Sequence, residues 1–168
     1  MSNTADRVYN VLFLCTGNSA RSLIAEALLN HLGKSRFVAF SAGSYPTGHV
    51  HPLAVTMVEE MELPCADMRS KSWQEFAGPG APKLDFVFTV CDAAGREVCP
   101  QWPGQPMSAH WGIDDPATRA GSYESRRRRF EQATLQLKRR IEIFLNLPLE
   151  SIDSLALQHH LDEIGRLP

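Results

Sequence analysis

Eight consecutive residues carry the densest chemistry in this chain: Cys15-Thr16-Gly17-Asn18-Ser19-Ala20-Arg21-Ser22. A tight loop of this composition turns successive backbone N–H groups inward and forms an anion-binding nest. Gly17 and Asn18 tolerate the positive φ such a loop often needs. Arg21 offers a planar, bidentate partner for a tetrahedral oxyanion. A thiol beside that arginine and at a helix N-terminus is expected to have a lowered pKa, so Cys15 reads as a thiolate aimed at the central atom of the bound anion. Ser22 can donate a hydrogen bond to the sulfur. The plainer alternative is a buried structural cysteine at a strand end, with Arg21 in a surface ion pair. The Cys-x5-Arg-Ser spacing between a strand and a helix weighs against that alternative.

The elements that must position the loop are legible on either side of it. The apolar run Val8–Leu14 predicts a buried strand. Leu23, Ile24, Ala27, Leu28 and Leu32 share one side of a predicted helix over Arg21–Leu32, whose N-terminus adds partial positive charge to the loop. Further strands are predicted at Phe37–Phe40, Leu84–Val90 and Met107–Trp111. Helices are predicted at Leu53–Met61 with Pro52 at its front, at Trp73–Phe76, from a Ser122 cap to Leu145, and at Ile152–Ile164. Strands alternating with helices predict an α/β fold: a three-layer arrangement with a four-stranded parallel sheet and helices on both faces. With 168 residues and no convincing linker, one catalytic domain over 1–168 is expected, with 148–168 a C-terminal helical extension. Apolar residues at 43 % and charged residues at 21 % fit a soluble globular chain, and the net charge of −2 gives no reason to expect nucleic-acid or membrane partners. The N-terminus lacks both a basic start and an apolar signal core, which points to the cytoplasm. There cysteines are more often catalytic or metal-binding than structural.

Three other cysteines follow. Cys91 ends the strand predicted at Leu84–Val90, and Cys99 comes after seven intervening residues that include Gly95 and two alanines. Their spacing does not suggest zinc, and no metal site is expected. They read either as a functional pair or as two unrelated cysteines, one buried and one in a loop. Cys65 reads as structural. Asp115, just before Pro116, and its neighbour Asp114 are rival candidates for a general acid, with a simple Asp-Pro turn the plainer reading. His49 and His51, and His159 and His160, read as surface residues. Arg126–Arg129 reads as a solvated helix segment, with a docking patch for an acidic partner as the alternative.

The loop with its preceding VLFLC resembles that of the low-molecular-weight tyrosine phosphatase fold and, more narrowly, that of the arsenate reductases built on it. The resemblance runs from about Val8 to Leu147 and includes Ser41-Ala42-Gly43, Thr89-Val90-Cys91, and His110-Trp111-Gly112 followed by Asp114-Asp115-Pro116-Ala117. It implies reduction of arsenate to arsenite without a cofactor, with residues 16–22 (Thr16 to Ser22) holding the anion, and phosphate or sulfate acting as mimics. In the implied relay Cys15 attacks arsenate while Asp115 protonates the departing oxygen, Cys91 attacks the Cys15 sulfur, and Cys99 takes over the disulfide. Movement of the Cys91–Cys99 segment during turnover is expected. The thioredoxin-coupled members of this family have six residues between the last two cysteines, so the departure bears on the reductant. Thioredoxin is favoured, with glutathione and glutaredoxin the alternative. Asn18, Glu26 and Ser41 match positions that buttress the loop or bind potassium in some relatives. Lys71 stands near the missing acidic ligand, so no potassium requirement is expected. The rival functions are a low-molecular-weight protein tyrosine phosphatase and a non-enzymatic arsenite-binding or redox-sensing protein.

Overall fold

The computed structural model describes residues 7–97, 99–117 and 120–168. The first six residues, part of the stretch read for a signal segment, lie outside the described residues. Strands β1 (Tyr9–Leu14), β2 (Phe37–Ala42), β3 (Phe86–Thr89) and β4 (Met107–His110) form one parallel sheet in the order β2-β1-β3-β4. Parallel neighbours need crossover connections. Helices α1 (Arg21–Leu32), α2 (Pro52–Glu60) and α3 (Asp92–Gly95) lie in those connections, and α4 (Tyr123–Leu145) and α5 (Ser154–Gly165) follow the last strand.

Because side chains alternate along a strand, central β1 feeds two cores. Val11 and Phe13 enter the larger one with Leu28, Phe88, Leu137 and Phe144. Leu12 and Leu14 enter the smaller one on the opposite face with Phe76, Leu84 and Val87. Helices α1, α4 and α5 cover the first face, and the single helical turn Trp73–Phe76 contributes Phe76 to the second. The three-layer parallel architecture expected from the alternation of elements is therefore present.

The differences from the sequence reading have local causes. β2 runs on to Ala42 because its pairing with β1 continues to Leu14. The last helix begins at Ser154 instead of Ile152 because the Asp153 carboxylate accepts from the Ala156 N–H at 2.9 Å, making Asp153 the N-cap. Helix α3 was not predicted: it is one turn long, too short to show a period, and its N-cap is Cys91, whose sulfur accepts from the Ala94 N–H. The segment after Pro148 packs on its own chain. The Trp111 indole donates to Leu161 O at 2.9 Å, and the buried Arg140 guanidinium donates to Trp111 O, Gly112 O and Leu167 O. No helix among the described residues is long and apolar enough to cross a membrane.

Candidate active site

The loop after β1 is shaped from outside. The carbonyls of Thr16, Gly17 and Ser19 accept hydrogen bonds from the N–H groups of Tyr45, Thr47 and His51 at 3.0, 3.0 and 2.8 Å. A trans peptide sets its N–H opposite its carbonyl. The amides of Gly17, Asn18 and Ala20 therefore turn to the inner side of the loop. Ala20 is the N-cap of α1 and offers no capping side chain, so the first-turn N–H groups stay available to an anion.

Asn18, fully buried, takes φ 44°. Its Oδ1 accepts from the Lys71 N–H at 2.9 Å and its Nδ2 donates to Ser22 Oγ at 2.8 Å. Accepting that bond leaves the Ser22 hydroxyl hydrogen available for donation. Of the two residues that tolerate positive φ, only Asn18 adopts it. The glycine that closeness demands is Gly43, where a Cβ would lie 2.4 Å from Thr16 O.

Arg21, mostly buried, donates from Nη1 to Ile113 O at 2.9 Å and sits 3.6 Å from Asp115 Oδ2. Asp115 Oδ1 accepts from the Ala117 N–H at 2.9 Å, an Asp-Pro turn that also aims the carboxyl at the loop. Cys15, Arg21, Cys91, Asp114 and Asp115 line one cavity of about 520 Å³. Of the two aspartates, Asp115 is the more buried and the one joined to Arg21.

The structure brings Cys15 and Cys91 together and leaves Cys99 apart. The Cys15 and Cys91 side chains are both buried, line one cavity and act on each other's ionisation. Cys91 Sγ accepts from the N–H groups of Thr16 at 3.3 Å and Ala94 at 3.4 Å. The Cys15 side chain, followed by these amides, pulls the Cys91 pKa well down against burial. The expected lowering at Cys15 is reversed for the same reason. The Cys91 side chain, then burial, pushes the Cys15 pKa up despite the pull of Arg21. Two adjoining sulfurs share one proton, and Cys91, with two backbone N–H donors, is the better-stabilised anion. Cys99 is exposed and lines a separate cleft with Trp102 and His110. Partial burial and the Glu97 carboxylate raise its pKa.

A second polar cluster supports the loop. Lys71, buried, donates from Nζ to Ser41 Oγ at 3.3 Å and to Arg69 O at 3.1 Å, with Glu26 Oε1 at 4.0 Å. Ser41 Oγ donates to Glu26 Oε2 at 3.1 Å. Burial lowers the Lys71 pKa and raises that of Glu26, and each charge partly offsets the other's shift. The ammonium thus stands among the oxygens that the sequence reading connected with a cation.

Several residues at or beside the site have contacts that the sequence reading did not assign. His110 bridges Thr89 Oγ1 at 2.7 Å and Asp92 Oδ1 at 2.9 Å, tying α3 to the sheet. His51 is half-buried and not a plain surface residue. Its Nδ1 accepts from the Leu53 N–H as N-cap of α2, and its ring lies against Phe130, 4.8 Å between centroids. The His51-Pro52 step, with proline at the first helical position, was the available cue. Glu97 accepts from Thr16 Oγ1 at 2.9 Å. Cys65 is half-buried with only a long contact to Glu59, and Arg127 pairs with Glu60 and Glu131.

Comparison with known proteins agrees with this geometry. The arsenate reductase of Shouchella clausii is 36 % identical over 135 residues, covering 80 % of this chain and 93 % of that protein. A solved structure described as an arsenate reductase in the phosphate binding state superposes with a TM-score of 0.66 and 28 % identity, over 82 % of this chain and 97 % of that one. The thioredoxin-dependent arsenate reductase of Corynebacterium glutamicum superposes with a TM-score of 0.54 and 26 % identity, over 84 % of this chain and 65 % of that one. The sequence model of low molecular weight phosphotyrosine protein phosphatases matches residues 10–155. This chain therefore belongs to the low molecular weight phosphotyrosine protein phosphatase family, and within it is similar to proteins named arsenate reductase.

Proposed function

We propose that the protein reduces arsenate to arsenite through a thiol relay. The observation that carries this reading is the second buried thiol, Cys91, which lines the same cavity as Cys15 and accepts from the Thr16 N–H of the anion loop. Hydrolysis of a phosphate ester has no use for it.

The inward amides and Arg21 hold arsenate. As it seats, Cys15 passes its proton to Cys91 and attacks arsenic as a thiolate, while Asp115 protonates the departing oxygen, which leaves as water. Cys91 then gives that proton to an oxygen of the arsenic adduct and, as a thiolate, attacks the Cys15 sulfur. The sulfur–arsenic bond breaks with its electron pair on arsenic, arsenite leaves, and a Cys15–Cys91 disulfide remains. Cys99 then attacks Cys91, freeing Cys15 and giving a Cys91–Cys99 disulfide for an external dithiol to reduce. Because Cys99 lines a different cleft, this last exchange requires the Cys91–Cys99 segment to rearrange until the two Cα atoms lie within about 7 Å. Thioredoxin is the proposed reductant, with glutathione and glutaredoxin the alternative, and the reducing cytoplasm the proposed location.

The test is arsenate-dependent NADPH consumption with thioredoxin and thioredoxin reductase, comparing wild type with Cys91→Ser and Cys99→Ser. Turnover by wild type and failure of both variants supports the relay. A tyrosine phosphatase is the rival reading, since the loop, Arg21 and Asp115 would serve a phosphate ester equally well. Brisk hydrolysis of an aryl phosphate that survives Cys91→Ser, with no arsenate reduction by either reductant system, would establish it instead.

A further inference from the structure

Glu97 belongs to no motif used above, and the relay as written gives it no part. Its Oε1 accepts the Thr16 hydroxyl hydrogen at 2.9 Å. The same Thr16 oxygen lies 3.7 Å from Cys91 Sγ, and the Thr16 N–H already donates to that sulfur. A hydroxyl has one hydrogen, and a carboxylate only accepts. While Glu97 holds that hydrogen, Thr16 presents a lone pair to Cys91. That lone pair gives the Cys91 thiolate no support. Once Glu97 lets go, the hydrogen can swing to the sulfur, and a hydrogen bond to the charged form favours it.

We infer that Glu97 is a positioning residue for the second step of the relay: it clamps the Cys91–Cys99 segment to the anion loop through Thr16, and it yields when an oxyanion fills the loop. This rests on the arsenate-reduction reading. Two effects act in the same direction. Thr16 is a loop residue, so a bound dianion brings like charge toward the Glu97 carboxylate and weakens its hold. Glu97 also stands two residues before Cys99, so releasing it frees the stretch that must carry Cys99 from its own cleft to Cys91. Substrate binding thus shifts a two-state equilibrium of the segment toward the form in which Thr16 can support the Cys91 thiolate once Cys91 has given up the proton taken from Cys15, and Cys99 can follow. The clamp adds no bond and no electron; the sulfur–arsenic pair still departs with arsenite.

Hydrogen exchange of the backbone over residues 92–99 tests this in the reduced enzyme, with and without inorganic phosphate, after calorimetry has established that phosphate binds. Wild type is expected to exchange this segment several-fold faster with phosphate, the opposite of ordinary ligand protection. Glu97→Ala is expected to exchange fast with or without phosphate. Glu97→Gln keeps an acceptor for Thr16 but has no charge to repel, so its segment is expected to stay slow in both conditions. A wild-type segment unchanged or protected by bound phosphate would overturn the clamp and leave the relay standing. So would a Glu97→Ala variant that is folded and exchanges like wild type. Failure of phosphate to bind at all would overturn the anion-loop reading beneath it, and the clamp with it.

Discussion

Replacing Lys71 with alanine removes an ammonium that stands among Glu26, Ser41 Oγ and Arg69 O. The Lys71 side chain is 7 % exposed and Glu26 20 % exposed, and Ser41 Oγ bridges the two. Without Lys71, Glu26 keeps its hydrogen bonds from Ser41 but loses its larger countercharge, leaving only the weaker pull of the exposed Arg69. Breaking a fully buried pair costs about 3–5 kcal/mol. Glu26 retains contact with water, so the expected loss is discounted to about 2–3 kcal/mol. For a chain of this size that lowers the melting temperature by roughly 5–10 °C. The sign of the pH dependence follows from Glu26, whose pKa burial already raises and whose lowering by Lys71 would be lost. A raised carboxyl destabilises the fold only when ionised, so the deficit is full near neutrality and shrinks as pH falls through the Glu26 pKa. Potassium, but not lithium, is expected to restore part of the loss by settling among Glu26, Ser41 Oγ and Arg69 O, while wild type gains nothing from it. Urea unfolding across pH and salt, with Glu26→Gln/Lys71→Ala as the neutralised control, provides the assay. A Lys71→Ala protein within 0.5 kcal/mol of wild type (well inside the ~2–3 kcal/mol expected), or a double variant no more stable than the single one, would refute the reasoning.

Cys15→Ala removes the largest cause of the low Cys91 pKa, so ultraviolet thiolate titration is expected to show Cys91 ionising at clearly higher pH than in wild type. Gly43→Ala drives a Cβ against Thr16 O and Cys15 O, and calorimetry is expected to give at least about tenfold weaker phosphate binding, about 1.4 kcal/mol, with the fold retained. Arg140→Ala leaves the carbonyls of Trp111, Gly112 and Leu167 without their charged donor, and chemical denaturation is expected to register a loss of about 2–3 kcal/mol.

The parts legible in the sequence are those written locally. Cys15–Ser22 and its flanking strand and helix occupy one continuous stretch, so residue type and spacing alone imply an anion cradle. Asp115 was singled out over Asp114 by the resemblance, whose pattern sets the acid just before the proline, and it is the one that lies beside Arg21. What escaped depends on long-range pairing. Nothing in the segment around Glu97 indicates that its carboxylate reaches Thr16, and nothing around His110 indicates that its ring bridges Thr89 and Asp92. The expected thiolate at Cys15 went wrong for a related reason. Its local surroundings do favour ionisation, but Cys91, delivered by β3, takes the charge. Helix α3 escaped because a single turn leaves no periodicity to read.

The relay is tested most directly in one turnover. Reduced Cys99→Ser protein, mixed with excess arsenate and no external reductant, is quenched with acid and alkylated, and its arsenite and disulfides are measured. The account predicts one arsenite per protein and a Cys15–Cys91 disulfide. No arsenite together with two free thiols at Cys15 and Cys91 would contradict it.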